Sequence, residues 1–467
     1  MAHNPTPVAN PSQMSFVRQQ CIGSVLATAG TSARFAGQVG FDTRASIEAR
    51  VLPLNSVAFG FFCLFVFAIP WENALLLPGV GTVSRLLGLL ALPVAVLAIL
   101  ERGRLRSPSL PILLIALFVV WGCLSYLWTV NVAATSIRLA SWLQTLGMVW
   151  LIWELADLRE RQLLLMRAYV FGTLVSAIDT LFSYFRGQEV YYQRYAGSGF
   201  DPNDLGLILA LSLPISLYLA AIQKNKRMVW VYRFQQIAAI LAIGLTSSRA
   251  ALLATAVALA YLPVAFPRIS TFRGKCALVF IVVIAGGCLV ALLPATSWER
   301  WGGIGSELQH GTWGERKMIW SAGLEVFREH PLIGVGAGGY GSATRRLLPA
   351  SIANDNPFLP AAHNTFLSIL AEEGLVGFGL FLLLWLGLVL PVLRLPNLVR
   401  NLWLVTLATW ATGVFTLTWE DRKPTWFLFG LLAAWSATRI FPQKKTSSRT
   451  AAQGWHRVNP TGEFRWS

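Results

Sequence analysis

The sequence predicts an all-α polytopic membrane protein with about 12 transmembrane helices and one long exterior loop that contains helices of its own. Three observations lead there. Hydrophobic residues make up 55% of the chain and charged residues 13%, whereas soluble domains carry about 25% charged residues. The apolar residues gather in blocks of roughly 16 to 25, the length of helix that crosses a hydrocarbon core of about 30 Å. Short basic hinges separate the blocks. Backbone groups in lipid must be satisfied within each segment, which favours a helical bundle over a barrel.

Residues 1–50 are polar, carry Arg18, Arg34, Arg44 and Arg50, and lack the basic start, apolar core and cleavage site of a signal peptide. They are expected to form a cytoplasmic tail. Apolar spans are predicted near 55–70, 82–100, 109–128, 136–153, 162–185, 204–222, 229–245, 249–267, 276–296, 364–392, 402–418 and 425–441. Arg102, Arg104 and Arg106 fall in the second connection, Arg159 and Arg161 in the fourth, Lys224, Lys226 and Arg227 in the sixth, and Arg268, Arg273 and Lys275 in the eighth. Because basic residues favour the cytoplasmic side, even-numbered connections are placed inside and odd ones outside. Arg394 and Arg400 in the tenth, and Lys444, Lys445 and Arg449 after the last span, agree. The expected division is a cytoplasmic tail 1–50, nine spans within 51–296, the long exterior loop 297–362, three spans within 363–441 and a cytoplasmic tail 442–467.

A net charge of +16 would suggest nucleic-acid binding in a soluble chain. Here the cytoplasmic hinges account for most of it, and no nucleic-acid partner is expected. Cys21, Cys63, Cys123, Cys276 and Cys288 lie in the N-terminal tail or in apolar blocks, so no disulfide framework is predicted.

Function is expected in the odd connections, above all in 297–362 and in the shorter stretch from Arg186 to Asn203. Within the long one, Ile319, Ala322, Val326 and Phe327 recur at helical spacing while Glu315, Ser321, Glu325 and Arg328 fall elsewhere. That pattern describes an amphipathic helix that either lies along the membrane surface or caps the bundle. His330-Pro331 and the run Gly334, Gly336, Gly338, Gly339 and Gly341 end this helix and permit close backbone approach. The run lacks the strand-before, helix-after context of a dinucleotide site.

Exterior arginines run against the topology rule, so each needs a reason. Arg194 lies in Tyr191-Tyr192-Gln193-Arg194-Tyr195 ahead of the sixth span, and Arg249 follows Thr246-Ser247-Ser248 at the start of the eighth. Guanidinium forks suit phosphate oxygens, and a helix start adds free N–H groups; a solvated or carboxylate-paired arginine is the alternative. Asp201-Pro202-Asn203-Asp204 reads as a helix opening, with Asp at the N-cap and Pro at the first position, in preference to a metal-binding pair. No metal and no other cofactor is expected. At about 100° per residue, His363, Leu367, Leu370, Gly374 and Gly377 share one stripe of a continuous tenth span, with Glu372 opposite and Glu373 to the side. Acids within a membrane are costly, so both are expected to bind something across the bundle. Taken alone, the histidine is open to a structural or a catalytic reading.

The stretch from His363 to Gly377 resembles the O-antigen ligase pattern of His, then Asn, Ser or Gln, nine residues, Gly, two residues, and Gly, Thr or Tyr. Arg194 ahead of Gly-Ser-Gly-Phe-Asp-Pro-Asn, Ser248-Arg249 opening a span, and Arg316 to Trp320 leading to His330-Pro331-Leu332-Ile333-Gly334 are similar to that family as well. The resemblance implies a GT-C-like, metal-independent inverting glycosyltransferase of the bacterial inner membrane, acting on the periplasmic side in lipopolysaccharide biosynthesis. Its donor would be O-antigen on undecaprenyl pyrophosphate and its acceptor the lipid A-core oligosaccharide. On that reading His363 is the general base, and Arg194 and Arg249 hold the donor pyrophosphate. Arg316, Asn364 and Asp421 are weaker candidates for shaping the substrate site, Asp421 being favoured as a solvated loop charge. A monomer is expected. An O-antigen polymerase or a protein O-oligosaccharyltransferase would use a similar donor site, and the motif favours the ligase. A membrane transporter is the rival from another class, disfavoured because no Gly/Pro-interrupted spans pair between two halves.

Overall fold

A computed structural model describes residues 54–268, 272–303, 316–350 and 360–440. The expected tails, 1–50 and 442–467, lie outside the described residues, as does part of the long connection. Helices occupy every stretch predicted as a span. They are α1 (Leu54–Ala74), α2 (Val83–Arg102), α3 (Leu110–Leu127), α4 (Val132–Leu155), α5 (Arg159–Phe185), α6 (Pro202–Ile222), α7 (Lys226–Leu245), α8 (Arg249–Arg268) and α9 (Phe272–Leu292). The long connection contributes α10 (Ala295–Gly302), α11 (Arg316–Glu329) and α12 (Tyr340–Thr344), followed by α13 (Thr365–Leu393), α14 (Asn397–Val414) and α15 (Lys423–Ile440). Among the described residues, eight helices, α1, α2, α3, α5, α6, α7, α8 and α13, are long and apolar enough to cross a membrane. The chain is an all-α membrane protein, apart from a hairpin of β1 (Leu76–Leu77) and β2 (Gly81–Thr82) that the periodicity does not announce.

The helices begin where the sequence offers a side-chain oxygen to their free N–H groups. Thr82, Asn131, Asp201, Asn225, Ser248 and Asn364 each accept such a bond at the N-cap. Gly103 closes α2 in the left-handed conformation.

Contacts between connections sort the helix ends into two layers. At one end, Tyr195 N–H bonds Leu245 O, Val130 N–H bonds Val335 O, and Asn73 Nδ2 reaches Gly199 O. At the other, Arg102 pairs with Glu154, Arg159 lies 3.5 Å from the centre of the Trp435 ring, and Tyr261 hydroxyl bonds Leu398 O. The second layer holds the basic hinges; the first holds the long connection and is called the cap end here.

Helix α6 is the axis of the bundle, every residue from Leu205 to Ala220 being buried. Small residues bring its neighbours close. A Cβ on Gly413 of α14 would collide with Leu207, and one on Gly206 with Ala251 of α8. Trp142, Trp403, Trp410, Trp419, Trp426 and Trp435 are fully buried in the same hydrophobic core.

The single stripe expected from His363 to Gly377 does not form. His363 sits ahead of α13 with φ +47, and α13 is interrupted at Gly374, whose φ of 65 and ψ of −168 leave the helical region. Five of the backbone groups at the interruption are met by other segments. Val335 and Gly336 N–H bond the carbonyls of Ala371 and Glu372, Trp121 Nε1 bonds that of Glu373, and Leu375 and Val376 N–H bond Pro331 O and Leu332 O. The glycine run therefore braces a helix break. A Cβ at Gly334 would strike the Glu372 carbonyl, and one at Gly338 would lie 2.9 Å from Ala134 O. The amphipathic helix α11 takes the capping alternative. Ile319, Ala322 and Val326 are buried in one cluster with Leu367 and Ala371 of α13, while Phe327 is only half-buried.

Candidate active site

The cap end gathers four arginines and one histidine. Arg194 is buried in the loop between α5 and α6, its guanidinium donating from Nε to Thr246 O (2.8 Å), from Nη1 to the Tyr191 hydroxyl (2.9 Å) and from Nη2 to Asn203 Oδ1 (2.8 Å). A guanidinium has five N–H bonds, so two stay available. Arg194 forms no salt bridge among the described residues. Burial lowers its pKa, with Tyr191 and Asp201 opposing and Arg300 and Arg316 adding to the effect. Burial also pushes the Tyr191 hydroxyl up to about 12, with Arg194 opposing. The neutral phenol donates to Asp201 Oδ2 at 2.7 Å.

Asp201 is the N-cap that the sequence predicts, bonding Asn203 N–H (2.8 Å) and Asp204 N–H (3.4 Å). Asp204 turns to Trp419 Nε1 (2.8 Å) and Arg422 (3.1 Å). The two carboxylates serve different partners. Asn203, read in the sequence only as part of a helix opening, is the joint of the site, since its Oδ1 accepts from both Arg194 and Ser248 Oγ (2.9 Å).

Arg249 opens α8 and donates from Nε to the carbonyl of Arg300 at 2.8 Å. Helix α10, which carries Arg300, is stitched down by Ser297 Oγ to Ser247 Oγ (2.5 Å) and by Thr296 to Gln193 (3.1 Å). Arg300 Nε is buried without a hydrogen-bond partner. Arg316, the first residue of α11, forms no hydrogen bond or ion pair among the described residues. Burial depresses its pKa and Arg249 depresses it further. The His363 ring is exposed in its loop yet partly desolvated; burial holds its pKa below the usual value, Arg316 lowers it further and Asp201 opposes. His363, Arg194 and Arg316 thus share one electrostatic field, linked by Arg316 to Arg249 and by Arg194 to Arg300.

Backbone strain concentrates in these segments. The non-glycine residues with positive φ are Tyr192, Gln193, Ser247 and His363 among the described residues. Such conformations cost about 1 kcal/mol or more each and persist where surrounding contacts enforce them.

The remaining candidates lie elsewhere or do other work. Asn364 is buried, with its Oδ1 spent on Leu367 N–H at 3.0 Å as the α13 cap. Asp421 is not a lone solvated charge: it lies 4.0 Å from both Arg138 and Arg422, in a second network under the glycine run. There Arg138 of α4 bonds Glu420 Oε1 at 2.5 Å and approaches Glu372 at 4.0 Å. Glu372 accepts from Gly338 N–H (2.8 Å) and Tyr340 N–H (3.2 Å), which answers what it binds across the bundle. Glu373, expected to do likewise, has both carboxyl oxygens buried without a hydrogen-bond partner. Sequence reasoning missed Arg300 and Arg138. The rule that picked Arg194 applies to Arg300 just past the ninth span, and a charge inside the fourth span signals Arg138.

What ties the arginine cluster to a chemistry is the segment that carries most of it. Residues 236–382 match the O-antigen ligase family. The matched stretch holds Arg249, Arg300, Arg316 and His363, together with the helix break at Gly374 and the glycine run that braces it. Arg194 and Arg138 lie outside it. No curated protein matches the chain.

Proposed function

We propose that the chain is an O-antigen ligase of the bacterial inner membrane, with all twelve long helices spanning in a GT-C-like arrangement, both tails cytoplasmic and the cap end in the periplasm. The observation that carries this is the arginine cluster that shares a field with His363, all of it but Arg194 inside an O-antigen ligase match. The donor is O-antigen on undecaprenyl pyrophosphate and the acceptor is lipid A-core. The acceptor hydroxyl oxygen attacks the anomeric carbon from the face opposite the pyrophosphate, inverting the centre. Its proton passes to the neutral imidazole of His363, and the bond from anomeric carbon to pyrophosphate oxygen breaks with its electron pair leaving on the oxygen. Arg249 and Arg300, with the two open N–H bonds of Arg194, stabilise that growing charge. Arg316 sits between phosphate and base. The cations take the place of a metal, and the protein acts as a monomer.

The test offers purified protein the lipid-linked glycan with lipid A-core, with a second lipid-linked glycan, or with peptide, each with and without chelator. Transfer to lipid A-core alone, indifferent to chelator, is the expected result. Chain extension on the second glycan would make the protein a polymerase, and peptide glycosylation an oligosaccharyltransferase. Loss in chelator with rescue by magnesium would reject the cation scheme.

A pH profile supplies a separate check. His363 works only when neutral, so transfer should rise with pH through its depressed pKa and be level near neutrality. Arg316→Gln removes a cation that lowers this pKa, so the acid limb should move to higher pH. Asp201→Asn removes an anion that raises it, so the limb should move the other way. An acid limb unmoved by both substitutions would sever His363 from this field.

A further inference from the structure

Away from the arginine cluster, a cleft of about 340 Å³ opens between α2 and α4. Its walls include Leu89, Leu92, Leu143 and Met148, and Leu89 and Leu143 are 59% and 54% exposed, so the cleft is bordered by exposed leucines. Gly88 and Gly147 also line it. A Cβ on Gly147 would meet nothing within 4 Å, so close helix packing does not explain this glycine, which weakens α4 relative to alanine. The space it leaves is open to an outside occupant.

The polar end of the cleft carries Arg85 and Lys423. Lys423 is ion-paired with Glu72 and donates to Ser84 Oγ at 2.8 Å. Arg85 is exposed and reaches only the Val80 carbonyl, at 3.5 Å, with no carboxylate partner among the described residues. The uncompensated charge at this end is therefore one positive unit. It matches a monoanionic phosphodiester and falls short of a pyrophosphate.

We propose that this cleft holds one acyl chain of a monoanionic phospholipid whose phosphodiester rests on Arg85. The chain lies against Leu89, Leu143 and Met148, and the space at Gly147 admits it between the two helices. This lipid is not the sugar donor, and its site is independent of the assignment of His363.

Native mass spectrometry of the full chain in detergent tests the idea, with phosphatidylglycerol, phosphatidylcholine, undecaprenyl pyrophosphate and inorganic phosphate as probes. Phosphatidylglycerol should bind more tightly than phosphatidylcholine. Arg85→Gln should weaken it about fivefold, the worth of one basic residue at an anionic lipid surface. Gly147→Leu should exclude it, and an unchanged melting temperature in lipid-free detergent confirms that this variant folds. Equal binding of both phospholipids, or phosphatidylglycerol binding unaltered in both variants, would overturn the proposal. So would displacement by undecaprenyl pyrophosphate, which would make the cleft the donor's, or binding of inorganic phosphate as tight as the lipid's.

Discussion

Replacing His363 by alanine should cost transfer a factor of about 10² to 10⁴, the usual contribution of a general base, while donor binding stays near that of the unaltered protein. The separation follows from geometry. His363 makes no hydrogen bond among the described residues, so its loss leaves no buried partner behind, whereas Arg249 reaches the Arg300 backbone. Backbone conformation complicates alanine, because φ is +47 at this position. His363→Asn is the cleaner variant, since asparagine tolerates the left-handed region and cannot act as the base. Both variants should bind undecaprenyl-pyrophosphate-linked glycan normally and fail in single-turnover transfer. Arg249→Gln and Arg300→Gln should show the reverse emphasis, with weaker donor binding as well as slower transfer. Near-normal transfer by His363→Asn would remove the histidine from the mechanism.

Much of the fold is legible because membrane helices announce themselves by length and apolarity, which depend on no distant partner. The same is true of Asp201, a local cap that Pro202 and the helix confirm. What escapes the sequence depends on segments far apart in the chain. Gly374 reads as a small residue on a continuous helix, because nothing nearby reveals that residues 331–336 supply the hydrogen bonds that make a break affordable. Asn364 looks like a substrate ligand until its carboxamide is found on Leu367 N–H. The site divides the same way. Arg194 and Arg249 stand out by type and topology, yet only the structure reveals that Thr246, Tyr191 and Asn203 occupy three of the N–H bonds of Arg194. The free donors therefore fall to Arg300 as much as to Arg194.

Arg138 is where loss of a single side chain should damage the fold most. It joins α4 to the connection after α14 through Glu420, and its charge faces Glu372, whose carboxylate holds Gly338 and Tyr340 of the glycine run. Glu420 is held in turn by Ser368 Oγ at 2.8 Å, and its carbonyl accepts from the indoles of Trp142 and Trp426. Removing the cation leaves two buried acids uncompensated. Breaking a buried ion pair from one side costs about 3 to 5 kcal/mol, so Arg138→Met should lower the melting temperature of the purified protein sharply. Because His363 lies just ahead of α13 in the chain, transfer should fall with it. A neutral partner tests whether charge is the cause. Arg138→Met with Glu420→Gln should melt above Arg138→Met alone, since one stranded carboxylate is gone and the amide can keep the Ser368 bond. Arg138→Lys should fall between, keeping the charge and losing the fork that spans Glu420 and Glu372. If Arg138→Met melts with the unaltered protein, or if adding Glu420→Gln lowers it further, the network is not what fixes the glycine run against α13, and the brace must rest on the backbone bonds from Val335 and Gly336 alone.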